Sequence, residues 1–388
     1  MNKYVKAMLY LTGVIGGGII GYKYQQNQRA LSLFDPETIA YNFQHMDQVM
    51  PSYDVAPAMV PFYFAKKTKS LPTTYSFKGE TKSVEALLER TQTTGFLVIQ
   101  DQTIIREDYF QGAHQATTFT SWSIAKSILS LLVGKAVEQG LIKDINEPIT
   151  TYVPLLKKSG YHNVSIKHIL QMASGVKFDE TYEKRTSDIQ KLFIKTLALN
   201  EGVDDVMAAL QSKQSPGIAF DYNSSDTQAL GMLIANVTGK QPSLYFQDEI
   251  WSQIGTTDRA FWLTDRHGQD YAFCGFNATL RDYAKLGQLC LQKGLWDGKQ
   301  VVSEEWLYES TRVHEESFPT MNKAFGYGYQ WWVPFNDNKD FLALGVWGQY
   351  LYIHPETKTI IVKTSADSDF VEHEEETITM MRSVALHM

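Results

Sequence analysis

Between Ala7 and Tyr22 the chain carries no charge, while Lys3 and Lys6 precede the run and Lys23 follows it. Such a pattern predicts a membrane-inserting segment. A helix needs roughly 20 apolar residues to cross a bilayer comfortably, and flanking Val5, Tyr24 and snorkelling lysines extend the shorter run found here. Five glycines among those sixteen residues would make a poor soluble helix but suit a membrane one. The sequence that follows, Lys-Tyr-Gln-Gln-Asn-Gln-Arg, lacks the small-x-small pattern of signal-peptidase cleavage, so residues 1–28 are expected to form an uncleaved single-pass anchor. The bulk of the chain is then expected on the extracytoplasmic side of the cytoplasmic membrane, with cleavage and release to the periplasm as the alternative.

Residues 29–90 read as an N-terminal extension, with Asp35-Pro36-Glu37 as a helix start and a turn-rich stretch from Lys69 to Thr74. From Gly95 the pattern sharpens. Gly95–Gln100 and Thr103–Phe110 are β-type runs parted by the polar Asp101-Gln102, which predicts a hairpin. A helix is expected from about Ser123 to Gly140, since Ile124, Ile128, Leu131, Leu132 and Ala136 recur on one face and Gly140 suits its end. The middle, about 145–315, reads as a helical lobe, with helical periodicity at Leu230–Thr238 and Thr279–Leu295. Strand patterns then return at Tyr327–Val333, Phe341–Leu344, Gln349–Ile353 and Lys358–Lys363, and a last helix follows. The implied class is α+β: an antiparallel sheet assembled from both chain ends, flanked by helices, with a helical lobe inserted. No repeat is visible.

Composition changes this picture little. Across 388 residues, 44% are hydrophobic and 20% charged, which is ordinary globular usage. The net charge of −7 carries no basic stripe, so nucleic acid is excluded as a partner. Cys274 and Cys290 form no CxxC, lie near no metal-spaced His pair, and read as unpaired thiols. His373-Glu-Glu-Glu376 reads as a solvated helix start rather than a set of metal ligands, and no metal or cofactor is signalled.

The candidate chemistry begins with Ser123-Ile-Ala-Lys126. Ser-x-x-Lys arises by chance about once or twice in a chain this long, and a second copy stands at Ser174-Gly-Val-Lys177. Only Ser123 opens a strong helical pattern. On a helix, spacing three stacks the two side chains, and the helix N-terminus adds N–H groups and partial positive charge where an oxyanion develops. The competing reading is that Ser121 or Ser123 merely caps the helix and Lys126 faces solvent. Tyr222-Asn-Ser224, in a polar turn just before another helix, supplies a tyrosine and a serine that could face the pair from the other side. Tyr161-His-Asn163 matches the same spacing. None of the nine histidines suits a conventional triad, and Gly-x-Ser-x-Gly is absent.

The runs Thr93–Ile99, Ser121–Ser127, His168–Gly175, Tyr222–Asp226 and Asn277–Tyr283 resemble, in order, the motifs of the serine β-lactamase and penicillin-binding superfamily. The nearest branch is the class C-like one that contains 6-aminohexanoate-dimer hydrolases and esterases. The resemblance spans about residues 90–385 and implies that 91–388 is a β-lactamase-like serine hydrolase domain. By position it implies Ser123 as the acylated nucleophile, Lys126 and Tyr222 as the proton-transfer pair with either as base, and Ser224 in the place many relatives fill with Asn. It implies an oxyanion hole from the backbone N–H groups of Ser123 and Val346, with the third motif at Ala343-Leu344-Gly345.

Ala343 departs from the pattern, because β-lactamases and peptidoglycan peptidases usually carry Lys or His there to bind a substrate carboxylate. An acyl-enzyme hydrolase of small esters or amides is therefore expected. A β-lactamase or DD-peptidase of the same fold, or a membrane-tethered penicillin-binding sensor without turnover, are the alternatives. Trp122, Trp331, Trp332 and Trp347 would suit an apolar pocket, although core packing explains most tryptophans in such positions.

Overall fold

The computed structural model describes residues 32–182, 184, 186–314, 319–320, 324–335 and 339–387. The expected anchor lies outside them. Among the described residues no helix is long and apolar enough to cross a membrane.

An eight-stranded sheet organises the molecule. Its strands are β1 (Ala65–Lys66), β2 (Thr93–Gln100), β3 (Thr103–Tyr109), β4 (Phe325–Tyr327), β5 (Trp332–Pro334), β6 (Phe341–Gly345), β7 (Gln349–His354) and β8 (Thr359–Ser365). In space the order is β4-β5-β6-β7-β8-β2-β3-β1, antiparallel except where β1 joins β3 in parallel. The two chain ends meet at β8 and β2, with Ile360 opposite Ile99 and Phe96 opposite Lys363. Central strands are apolar on both faces because both are covered. Leu97, Ile99, Ile360 and Val362 point into the main core, and the alternate residues Phe96, Val98 and Ile361 point into a second one.

Four helices matter most to the site: α1 (Ile124–Glu138), α2 (Ser224–Thr238), α3 (Leu280–Leu291) and α4 (Phe370–Leu386). In the main core α1 packs on α2 and β6, while α3 packs on β7 and β8. On the opposite face α4 lies against β7, β8 and a hairpin, Thr74–Phe77 with Glu80–Ser83. The sequence pattern marks one apolar face on α1, yet twelve of its fifteen residues are buried. The helix is central rather than superficial, and Gly134 admits the Trp306 indole where a Cβ would stand 2.2 Å from it.

Three expectations need correction. The lobe over 145–315 is not purely helical: Ala260–Leu263 and Phe276–Ala278 form a second sheet with Ser52–Val55 and Phe119–Thr120. All of Ala260–Leu263 is buried, so the run shows no alternation to betray a strand. The single strand expected at Tyr327–Val333 is two, β4 and β5, folded back at Gly328–Trp331, where Gln330 takes the left-handed conformation. Finally, His373–Glu376 falls in the first two turns of α4, as expected of a helix start, but it is not solvated throughout. Glu376 is buried, accepting from Tyr75 at 2.5 Å and from Arg90 at 2.8 Å.

Candidate active site

The second sheet delivers Ser123. Strand Phe119–Thr120 leads into Ser121, whose N–H donates to Phe276 O at 2.8 Å, and the Tyr283 hydroxyl donates to Phe119 O at 2.9 Å. The resembling run Asn277–Tyr283 thus supports the strand that carries the candidate nucleophile, and Thr279 caps α3 within it. Trp122 follows in the left-handed region at φ +43°, where a bulky residue costs about 1–3 kcal/mol unless its surroundings impose the conformation.

Ser123 stands just before α1, and its hydroxyl caps no backbone N–H. It is engaged by Lys126 instead. Lys126 Nζ, 1% exposed, donates to Ser123 Oγ at 2.8 Å, to Ser224 Oγ at 3.1 Å and to Phe273 O at 3.3 Å. Nζ also lies 5.1 Å from the Tyr222 ring centroid and 5.5 Å from that of Phe273. Burial pushes the ammonium down to about 8, and the nearby Glu180 carboxylate pulls the other way. Tyr222 hydrogen-bonds Ser123, while burial holds its phenol well above the ordinary tyrosine range. Its ring packs on Trp332 at 5.6 Å and edge-on to Tyr327 at 6.2 Å.

Ser224 is the first residue of α2, with Asn223 as the N-cap. Its N–H and hydroxyl both donate to Glu180, at 2.9 and 2.6 Å, and Glu180 also accepts from Tyr182 at 2.7 Å. Burial raises the Glu180 carboxyl, opposed chiefly by Lys126. Sequence reasoning missed Glu180, which lies in a loop 44 residues before Ser224 and belongs to no motif.

Of the third motif, Gly345 touches the segment of the candidate nucleophile. A Cβ there would stand 2.5 Å from Ser121 O and 3.1 Å from Ser123 N, so only glycine lets β6 end against Ser123. Ala343 is fully buried, paired with Leu351 and packed in the main core. Val346 and Trp347 line one cleft with Ser123, Ser224, Trp122 and Phe34. Gln349 fixes the Val346-Trp347-Gly348 turn, its amide reaching Val346 O, Trp347 O and Ser365 O at 3.2, 3.1 and 2.8 Å. Trp331 belongs to the core.

The look-alike motifs go elsewhere. Ser174 is buried against Val176 N and Asp226, whereas Lys177 is exposed. Tyr161 is buried with its hydroxyl 2.8 Å from Ser225 Oγ and 3.1 Å from Asp226 Oδ1, where it supports α2 from beneath. Cys274 and Cys290 are free thiols, and burial raises both.

Residues 81–385 match the family model described as Beta-lactamase. The chain belongs to the beta-lactamase family. Among curated proteins, the 6-aminohexanoate-dimer hydrolase of Paenarthrobacter ureafaciens is 28% identical over 299 residues, covering 74% of this chain and 76% of that one. A solved structure from Bacillus anthracis, given the provisional name 6-aminohexanoate-dimer hydrolase, superposes with a TM-score of 0.82 at 24% identity, over 92% of this chain and 96% of that one. A family VIII carboxylesterase superposes with a TM-score of 0.59 at 14% identity, over 78% of this chain and 96% of that one, and shows the fold alone. Within the beta-lactamase family, this chain is a serine hydrolase.

Glu180 provides a pH test of the Lys126 environment. With Lys126 as the candidate base, its neutral form is the one able to take a proton, so kcat/KM is expected to rise as pH increases through about 8. In Glu180→Gln the ammonium loses its anionic neighbour, so this rise moves to lower pH. A pH–rate profile whose acidic limb stays in place or moves upward contradicts this electrostatic account.

Proposed function

We propose that this beta-lactamase-family hydrolase cleaves small, neutral esters or amides through an acyl-enzyme on Ser123. The observation that carries the reading is the buried Lys126 Nζ, 2.8 Å from Ser123 Oγ and with its ammonium lowered to about 8. Lysine rather than tyrosine is then the base, since burial favours neutral Lys126 and disfavours a Tyr222 phenolate. Ser123 Oγ attacks the carbonyl carbon as Lys126 takes its proton. The oxyanion forms at the N–H groups of Ser123 and Val346, with the positive end of α1 behind it. Tyr222, protonated and bonded to Ser123, passes a proton to the leaving oxygen or nitrogen and is refilled from Lys126. Water then attacks the acyl carbon by the reverse relay and frees the acid. Ser224, held by Glu180, keeps Lys126 Nζ aimed at Ser123.

Substrate class follows from what faces the cleft. Among the described residues its lining carries Phe34, Trp122, Phe193, Phe273 and Trp347 but no Lys, Arg or His, and Ala343 is buried. Apart from Lys126 beneath Ser123, no described residue of the cleft offers a substrate carboxylate a cationic partner. The charge-free run at 7–22 supports a place for the enzyme on the outer side of a membrane, where small esters and amides would reach it. The full-length chain, assayed with short nitrophenyl esters, a small anilide, nitrocefin and a D-Ala-D-Ala peptide, is expected to favour the neutral substrates by about tenfold or more in kcat/KM. Preference for nitrocefin or the peptide would replace this reading with that of a β-lactamase or DD-peptidase.

A further inference from the structure

Phe34 comes from the N-terminal extension, yet its ring lies in the Ser123 cleft. It stacks on Trp122 at 5.9 Å and 27° and on Trp347 at 5.6 Å and 12°. Phe43 meets both indoles edge-on, at 5.2 and 6.0 Å. The segment that presents Phe34 is anchored: Leu33 is buried, and the Asn42 amide donates to Ser32 O at 2.9 Å and Leu33 O at 3.3 Å. Phe34 itself is 38% exposed, the outermost ring of the stack.

The two indoles occupy telling positions. Trp122 directly precedes Ser123 and Trp347 directly follows Val346, and both are left-handed, at φ +43° and +64°. A carbonyl held between the N–H groups of Ser123 and Val346 therefore has this aromatic stack beside it. Tyr222 packs instead on Tyr327 and Trp332, which lie outside the stack. A leaving group protonated by Tyr222 extends to that side, and the acyl group takes the other.

We infer that Phe34 is a specificity-determining residue, its ring forming the outer wall of the acyl pocket and restricting the enzyme to short, apolar acyl groups. This rests on the acyl-enzyme reading of Ser123. The wall is supplied by a part of the chain that precedes the residues matched by the family model, so acyl preference is set from outside the catalytic domain's own motifs.

The test is a series of nitrophenyl esters from acetate to octanoate, assayed on the full chain and on Phe34→Ala, Phe34→Leu and Phe34→Trp. Since longer acyl chains bury more apolar surface once the wall is opened, the octanoate-to-acetate ratio of kcat/KM should rise by about tenfold or more in Phe34→Ala. Phe34→Leu should raise it less, and Phe34→Trp should lower it. The paired directions keep the test intact if the alanine variant folds poorly. A ratio unchanged in all variants, with every ester rising or falling together, overturns the proposal and leaves Phe34 a packing residue. Failure of the wild-type chain to turn over any ester beyond the level of Ser123→Ala contradicts the acyl-enzyme reading itself, and this inference with it.

Discussion

Ser123→Ala is expected to lower kcat on a short nitrophenyl ester by on the order of 10⁴-fold or more, with the protein still folded. The size reflects the loss of the proposed covalent route, since the remaining N–H groups and cleft can assist only direct attack by water. Folding should survive because Ser123 Oγ caps no helix N–H, so its removal costs α1 nothing. Lys126 keeps Ser224 Oγ and Phe273 O as acceptors. A thermal melt within a few degrees of wild type, beside the lost turnover, is the expected pair of results. Retention of more than about a tenth of kcat would remove Ser123 from the reaction.

Lys126→Met is the second large effect. Methionine has similar length and is readily accommodated in a core, so packing is kept, while the buried Glu180 carboxyl loses its chief opposing charge and holds a proton more readily. The chemistry is a different matter. Ser123 loses the proposed base 2.8 Å away, and a positioned base is worth about 10²–10⁴-fold. Turnover should fall by about that factor, and the rise in kcat/KM near pH 8 should vanish, because no other group in contact with Ser123 is lowered into that range. A variant that keeps the limb near pH 8 would assign it to another residue.

The sheet was legible in the sequence where runs were long and bounded by turns. Thr93–Gln100, Gln349–His354 and Thr359–Ser365 differ from the expected strands by one or two residues at their ends. Ala260–Leu263 was not, because a short strand buried on both faces looks like a segment of buried helix. The candidate site divides similarly. Ser123, Lys126, Tyr222 and Ser224 announce themselves through spacing and the helices that follow them. Glu180 and Phe34 do not, because each acts through a contact made only when distant segments meet: a loop against the start of α2, and the extension against two indoles. A one-dimensional pattern carries no trace of such contacts.

The most direct measurement is peptide-mapped mass spectrometry of the full chain after reaction with an alkyl fluorophosphonate. A single adduct on Ser123, absent in Ser123→Ala and slowed in Lys126→Met, is the predicted result. An adduct on Ser174, or no adduct on Ser123 while ester turnover persists in Ser123→Ala, would contradict the account.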